Sequence, residues 1–243
     1  APAEQNPTLW HAPGRFDLQT GQIKVVKHDV PRYQDVFGKV LCEMAESDPR
    51  VVGITPAMSS GCSMVEFSQR FPSRFFDVGI AEEHAVTFSA GLAASGMKPF
   101  CNIYSSFSQR AYDQIVHDVA LQKLPVVLCL DRAGLVGEDG ATHNGAFDMA
   151  AYRSIPNCVI AVPSNESELK NMMYSAKEST TGPYIIRYPR GLAEGVEWQA
   201  KAPILLPVGK SVCVREGKRI AVVGLGPFVW RAVEAARSFG EDV

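Results

Sequence analysis

The 243-residue sequence has no apolar run near the ~18 residues needed to span a bilayer; its most strongly apolar stretch, residues 124–130, is only strand-sized. It also lacks a C-x-x-C pair or any Cys/His ligand spacing among its six cysteines, Cys42, Cys62, Cys101, Cys129, Cys158 and Cys213. That argues against a disulfide framework or a zinc ribbon and reads as reduced thiols in a cytoplasmic compartment. Neither charge is in excess: 24 Lys and Arg face 26 Asp and Glu, a formal net charge of −2. The clustered positive charge that nucleic acid or an anionic membrane requires is therefore missing, and both partners are dropped. No charged segment followed by an apolar one marks a secretory signal at the N-terminus. There is no internal repeat, low-complexity tract, Walker A sequence or G-x-S-x-G elbow. Gly224 and Gly226 lack the third glycine of a dinucleotide fingerprint and run into Pro227.

What is present is an ordinary globular composition, 46% hydrophobic and 21% charged, long enough to bury a substantial core. Short apolar runs at 51–55, 75–78, 99–104, 125–131, 158–162 and 184–187 read as strands. Helical periodicity falls between and around them, from Tyr33 to Met44 and over 64–70, 82–96, 105–122, 148–154 and 165–178, the last with Ser164 or Asn165 as N-cap. This alternation predicts an α/β fold, an open, mainly parallel sheet with helices on both faces and ligands at the carboxyl ends of the strands. Residues 1–31, with Pro2, Pro7, Pro13 and Pro31, read as an extended connecting arm, and 192–210 as a linker. Beyond it, 211–215 and 219–224 read as a β-like pair and 227–239 as a helix, the opening unit of a second domain that a chain of 243 residues would truncate.

Four constellations lie at predicted strand ends. The first runs from Asp77 through Gly79 into a helix start with Glu82, Glu83 and His84. Two carboxylates there complement the helix dipole. Ala85, Val86 and Ser89 nevertheless give Glu82 a poorly hydrated face, where a carboxyl group would hold a proton nearer neutrality. Helical geometry alone does not separate Glu82 from Glu83. The second gathers Tyr104, Ser105, Ser106, Phe107, Arg110 and Tyr112. Its aromatics also read as core residues, but Phe107 is placed to stack on a flat heteroaromatic ring. The third is the glycine-rich segment 131–148, which brings Arg132, Asp139, Thr142 and His143 beside flexible backbone in a loop long enough to be functional. With a single histidine and no acidic ligand spacing it offers no metal site. The fourth, Arg187 to Gly191, presents Arg190 on a Pro-Gly turn suited to a phosphate or carboxylate. His84 and His117 read as core or interface histidines.

At these residues the sequence resembles the thiamine-diphosphate-dependent transketolase-like family, over nearly the whole chain: 33–41, 54–58, 76–91, 103–125, 131–148 and 187–191. The runs 109–114 and 131–134, with Thr142 and His143, resemble one synthase branch more than transketolases in general. Glu83 departs from the Gln usual in that branch, leaving Glu82 as the matching position. The resemblance implies a thiamine-diphosphate-binding fold, with 32–191 as its pyrimidine-binding domain and 211–243 as the start of a C-terminal domain. It implies a transferase of aldehyde or ketone groups that joins pyruvate to glyceraldehyde 3-phosphate with loss of CO2, for isoprenoid precursor, thiamine and pyridoxal biosynthesis. By the same likeness Glu82 bonds N1′ of the aminopyrimidine and Phe107 stacks on it. Tyr104, Asp139 and His143 surround the reacting group, Arg132 and Arg190 hold the aldehyde's phosphate, and Arg110 orders the cluster. The family's Mg2+ and diphosphate ligands belong to a preceding domain whose G-D-G…N motif does not occur in this sequence, so these residues alone are expected to be inactive. Family members are homodimers. Alternatives are a transketolase, the β-type subunit of a 2-oxo acid dehydrogenase, or a noncatalytic α/β assembly module.

Overall fold

Six short apolar runs become six parallel strands in a computed structural model that describes residues 2–11, 14–23 and 28–239. They are β1 (Val51–Thr55), β2 (Phe75–Asp77), β3 (Lys98–Tyr104), β4 (Val127–Asp131), β5 (Val159–Ala161) and β6 (Tyr184–Arg187). Hydrogen bonding orders them β2-β1-β3-β4-β6-β5, every neighbouring pair parallel. Strands β1 and β4 are buried along their whole length, as expected where helices cover both faces. Along β3 the period of two is explicit: Phe100 and Tyr104 enter one core, Cys101 and Ile103 the other. The first core is roofed by the helices Tyr33–Ser47, Val65–Arg70 and Glu166–Glu178, the second by Glu82–Ala94 and Asp148–Tyr152. Strand β1 lies between β2 and β3, so the strand order reverses there, and the crevice at such a reversal is where α/β sheets bind ligands.

Three segments depart from the sequence expectation. Residues 105–122 are not one helix but a 3₁₀ turn (Phe107–Ala111), one α-turn (Tyr112–Gln114) and a π-helical stretch (Ile115–Ala120). The Ser108 hydroxyl donates to the Ser105 carbonyl at 2.7 Å, a side-chain bond that competes with the regular helical ladder. The N-terminal segment is not an extended arm. The chain divides into the units Ala1–Val30 and Pro31–Val243. In the first, short helices at Pro2–Gln5 and Pro7–His11 precede an antiparallel bridge between Phe16 and Ile23, whose turn is held by the Asp17 carboxylate on the Gln19 and Thr20 amides. At the other end 211–224 contains no strand. Val212, Val214, Ile220, Val222 and Val223 stand exposed, because two isolated strands with no layer to cover them are not stable in water. The following helix does form, at Phe228–Arg237, and the Trp230 indole N–H reaches the Ser164 carbonyl at 3.0 Å.

The helix Glu166–Glu178 starts as expected: Asn165 Oδ1 accepts the Glu168 amide at 2.9 Å, and Glu168 answers on the Ser164 amide at 2.7 Å. Its outer side then holds the segment beyond β6. The buried Glu166 carboxylate accepts the Glu194 and Gly195 amides at 3.2 and 2.7 Å, Asn171 Oδ1 the Ile204 amide at 2.9 Å, and Ser175 Oγ the Leu206 amide at 2.8 Å. Trp198 between these bonds is 6% exposed and belongs to the first core. The segment read as a linker is thus a strap packed along a helix. Trp198→Ala is expected to cost about 3 kcal/mol of unfolding free energy, the usual loss for a buried aromatic. Urea denaturation of this chain measures it, and a loss below ~1 kcal/mol would show the strap to be loosely held.

Candidate active site at the carboxyl edge of the sheet

The parallel arrangement brings the ends of β1, β3, β4 and β6 and the helix following β2 to one edge. The structure separates the two carboxylates that sequence geometry left open. Both lie in the first turn of Glu82–Ala94, but Glu82 is 2% exposed while Glu83 faces solvent. The buried Glu82 carboxylate receives Arg110 Nη1 at 2.9 Å, and the Arg110 guanidinium carbon lies 5.5 Å from the centroid of the Phe107 ring. Arg110 therefore links the first two constellations, a more specific place than the general ordering role expected of it.

Phe107 lies just past β3 and forms an aromatic cluster with Tyr104 and His143. Phe107 and Tyr104 stack at 5.5 Å and 20°, and His143 meets Phe107 edge-on at 5.1 Å. Gly145 closes the glycine-rich loop against this cluster. It pairs with Gly134 through two backbone bonds of 2.9 and 2.8 Å, and a Cβ on it would run into Ser105 Oγ. Only glycine lets the loop approach β3 this closely. Between the pinned ends, short 3₁₀ turns carry Asp139 and His143, and Thr142 Oγ1 lies 3.0 Å from His143 Nδ1.

Arg132 and Asp139 of the third constellation and Arg190 of the fourth come together in the structure. Asp139 stands between the two cations, with Oδ1 3.1 Å from Arg190 Nε and Oδ2 3.6 Å from Arg132 Nε. Sequence reasoning missed what lies beneath. Asp131, the last residue of β4, is wholly buried and pairs with Arg132 Nη1 at 2.8 Å; Gln34, from a helix 98 residues away, accepts the same nitrogen at 2.9 Å. Asp148, also buried, accepts the Ser105 hydroxyl and Arg187 Nε, both at 2.9 Å, tying the end of β3 to that of β6. Asp131 and Asp148 had a signal, a carboxylate at a strand end or helix start beside arginine in space; Gln34 had none.

Of the two histidines read as core or interface residues, neither lies in a core. His84 is exposed and stacks on Phe88, and His117 is exposed and pairs with Asp118. Four cysteines are buried, Cys158 is half-buried and Cys213 is exposed, all as free thiols. Among the described residues no group of three or more His, Cys, Asp or Glu could hold a metal ion, and no helix is long and apolar enough to cross a membrane. An open recess of about 450 Å³ along β2, lined by Phe75, Phe76, Asp77, Val78, His84 and Phe88, contains none of the clustered residues.

A doubly covered parallel sheet with this constellation at its carboxyl edge belongs to a known class: the chain is a member of the transketolase pyrimidine-binding domain family, whose model matches residues 29–195. Among individual proteins it is 58% identical over 243 residues to the 1-deoxy-D-xylulose-5-phosphate synthase of Parabacteroides distasonis and 60% identical over 246 residues to that of Bacteroides thetaiotaomicron. These matches take in 99% and 100% of this chain but 38% of each relative, so the chain spans about two-fifths of their length. A solved split-gene transketolase, described as an inactive β4 tetramer, superposes with a TM-score of 0.75 at 30% identity, over 86% of this chain and 67% of that one.

Burial pushes the Asp131 carboxyl up to about 7, against the opposing pull of the Arg132 guanidinium. Its folded value lies above its unfolded one. The stability it contributes is therefore fully present below about pH 4 and lost as pH rises through about 7. Asp131→Asn, which does not titrate, should thus gain on the unsubstituted chain as pH rises across that window. Urea midpoints at the two ends of the window test this, and a difference between the two proteins that stays constant with pH would show that Asp131 does not titrate there.

Proposed function

We propose that this chain is the pyrimidine-binding portion of a thiamine-diphosphate-dependent transferase, a 1-deoxy-D-xylulose-5-phosphate synthase that joins pyruvate to glyceraldehyde 3-phosphate with release of CO2 and so feeds isoprenoid precursor, thiamine and pyridoxal biosynthesis. The observation that carries this reading is the buried Glu82 carboxyl at a helix start, linked through Arg110 to Phe107 and onward to Tyr104 and His143. The relatives at 58% and 60% identity support the choice of this branch over a transketolase. The residues also fit the pyrimidine end of the cofactor. Phe107 is a half-buried aromatic face joined to the buried Glu82 carboxyl through Arg110, and the adjacent Ser106 hydroxyl is buried without a hydrogen-bond partner.

Bound there, thiamine diphosphate supplies the nucleophilic ring carbon and the electron sink that decarboxylation of a 2-oxo acid requires. The work of this chain's own residues is orientation and charge. Glu82 exchanges a proton with the pyrimidine N1′, in a site where side chains rather than water surround the carboxyl. Phe107 fixes the plane of the ring, and Tyr104 packs against Phe107 from the sheet side. His143 and Asp139, on the loop over this cluster, hydrogen-bond the reacting oxygens. Arg132 and Arg190 take the phosphate of the aldehyde, where guanidinium forks bind tetrahedral anions well. That step requires Asp139, which bridges both arginines in this structure, to release at least one of them.

The diphosphate and its Mg2+ are assigned to residues outside these 243, and the assembled enzyme to a cytoplasmic homodimer. The split-gene transketolase described as an inactive tetramer supports the corollary that this segment is inactive alone. Calorimetric titration of this chain with thiamine diphosphate and Mg2+ should give no micromolar binding; a micromolar constant would overturn the corollary. In the complete enzyme Glu82→Ala should abolish turnover, a loss of at least about 100-fold as for other proton-transfer groups, with the fold intact by circular dichroism. Near-normal activity would rule out proton exchange by Glu82.

A further inference from the structure

Arg132 is held unusually firmly for a residue at the carboxyl edge of the sheet. Its Nη1 carries two protons and faces three acceptors: Asp131 Oδ2 and the Gly61 carbonyl at 2.8 Å and Gln34 Oε1 at 2.9 Å. Asp131 Oδ1 also accepts the Arg132 backbone amide at 2.7 Å, so one carboxylate grips both ends of the residue. The backbone needs that grip, because Arg132 sits at φ +60°, a region that costs a non-glycine residue about 1 kcal/mol or more. The guanidinium carbon lies 4.2 Å from the centroid of the Tyr104 ring, which fixes the plane of the group. Gln34 is itself anchored, its amide donating to the Gly61 carbonyl at 2.9 Å. Gly61 must be glycine, because a Cβ there would collide with the Tyr104 hydroxyl. One edge of the guanidinium is thereby committed to the protein interior. Its Nε, on the side of Asp139, is buried without a hydrogen-bond partner.

The geometry points to Asp131 and Gln34 as positioning residues that aim the free edge of Arg132 at the phosphate of the substrate while touching neither substrate nor cofactor. This rests on the phosphate-binding role proposed above for Arg132. Asp131 is fully buried and Gln34 nearly so, and all their bonds to Arg132 run through the backbone amide or Nη1. A guanidinium released from this frame keeps its charge but loses its direction. The loss should therefore fall on recognition of a phosphate and not on the carbon chemistry.

The test compares glyceraldehyde 3-phosphate with unphosphorylated glyceraldehyde as acceptors for the complete enzyme and its Asp131→Asn, Gln34→Met and Arg132→Ala variants. Asp131→Asn should raise KM for the phosphorylated aldehyde about tenfold and Gln34→Met about threefold, the scale of one charged and one neutral hydrogen bond. In both variants kcat should fall much less than KM rises, and KM for unphosphorylated glyceraldehyde should stay within about twofold. A change of equal size for both aldehydes, or none for either, would overturn the inference. Should Asp131→Asn fail to fold, the same comparison with Gln34→Met decides. Arg132→Ala keeps this outcome apart from failure of the underlying reading: if it too fails to distinguish the aldehydes, Arg132 does not bind the phosphate, and the functional assignment of that residue falls first.

Discussion

A parallel sheet sends every strand in the same direction, and the rest of the structure follows from that constraint. All carboxyl ends lie on one edge, so residues distant in sequence meet there without any long-range design of the loops. Thr55, Tyr104, Asp131 and Arg187 each end a strand of this sheet. The residue or loop that follows each of the last three carries a member of the candidate site. The same constraint requires helices on both faces, because strands buried on either side must exclude water from both. The two cores, one under Tyr33–Ser47 and one under Glu82–Ala94, meet that requirement and leave the carboxyl edge open.

At that edge, charge is handled in two tiers. A lower tier of buried carboxylates, Asp131 and Asp148, fixes arginines and serines to the ends of the strands. In an upper tier, the half-exposed Asp139 and Arg190 rest on loops and lean on the buried Arg132. Burying a carboxylate is costly, and pairing with hydrogen bonding offsets part of that cost for each lower-tier group, although at Asp131 burial outweighs the pull of Arg132. The Asp139–Arg190 pair, longer and wetter than those beneath, contributes less and is correspondingly easier to exchange for a ligand.

The strands and most helices were legible in the sequence because their signals are local. Apolar runs such as 127–131 and the Asn165 cap before Glu168 need only nearby residues to act. That Glu82, Phe107, Arg132, Asp139, His143 and Arg190 lie near the carboxyl edge of the sheet was legible as well, from their position after strands. What could not be read was decided by distance or by missing context. Gln34 meets Arg132 only because the fold brings the start of the helix Tyr33–Ser47 to the end of β4, a contact that no spacing encodes. The alternating valines of 211–224 carry a genuine strand pattern, but a pattern yields a strand only where another layer buries it. The segment 105–122 has helical periodicity, yet the Ser108 hydroxyl bonding to the Ser105 carbonyl competes with the ladder in its opening turns.

The main-chain bonds from Ala193 to Pro31 and from Tyr33 to Gly191, with the bridge between Arg32 and Leu192, place the entry and exit of the sheet unit side by side. A unit whose two ends adjoin behaves as a cassette. The chain enters and leaves the six-stranded sheet at one point, so neither connection has a distance to bridge, and the strap that follows returns along the helix Glu166–Glu178.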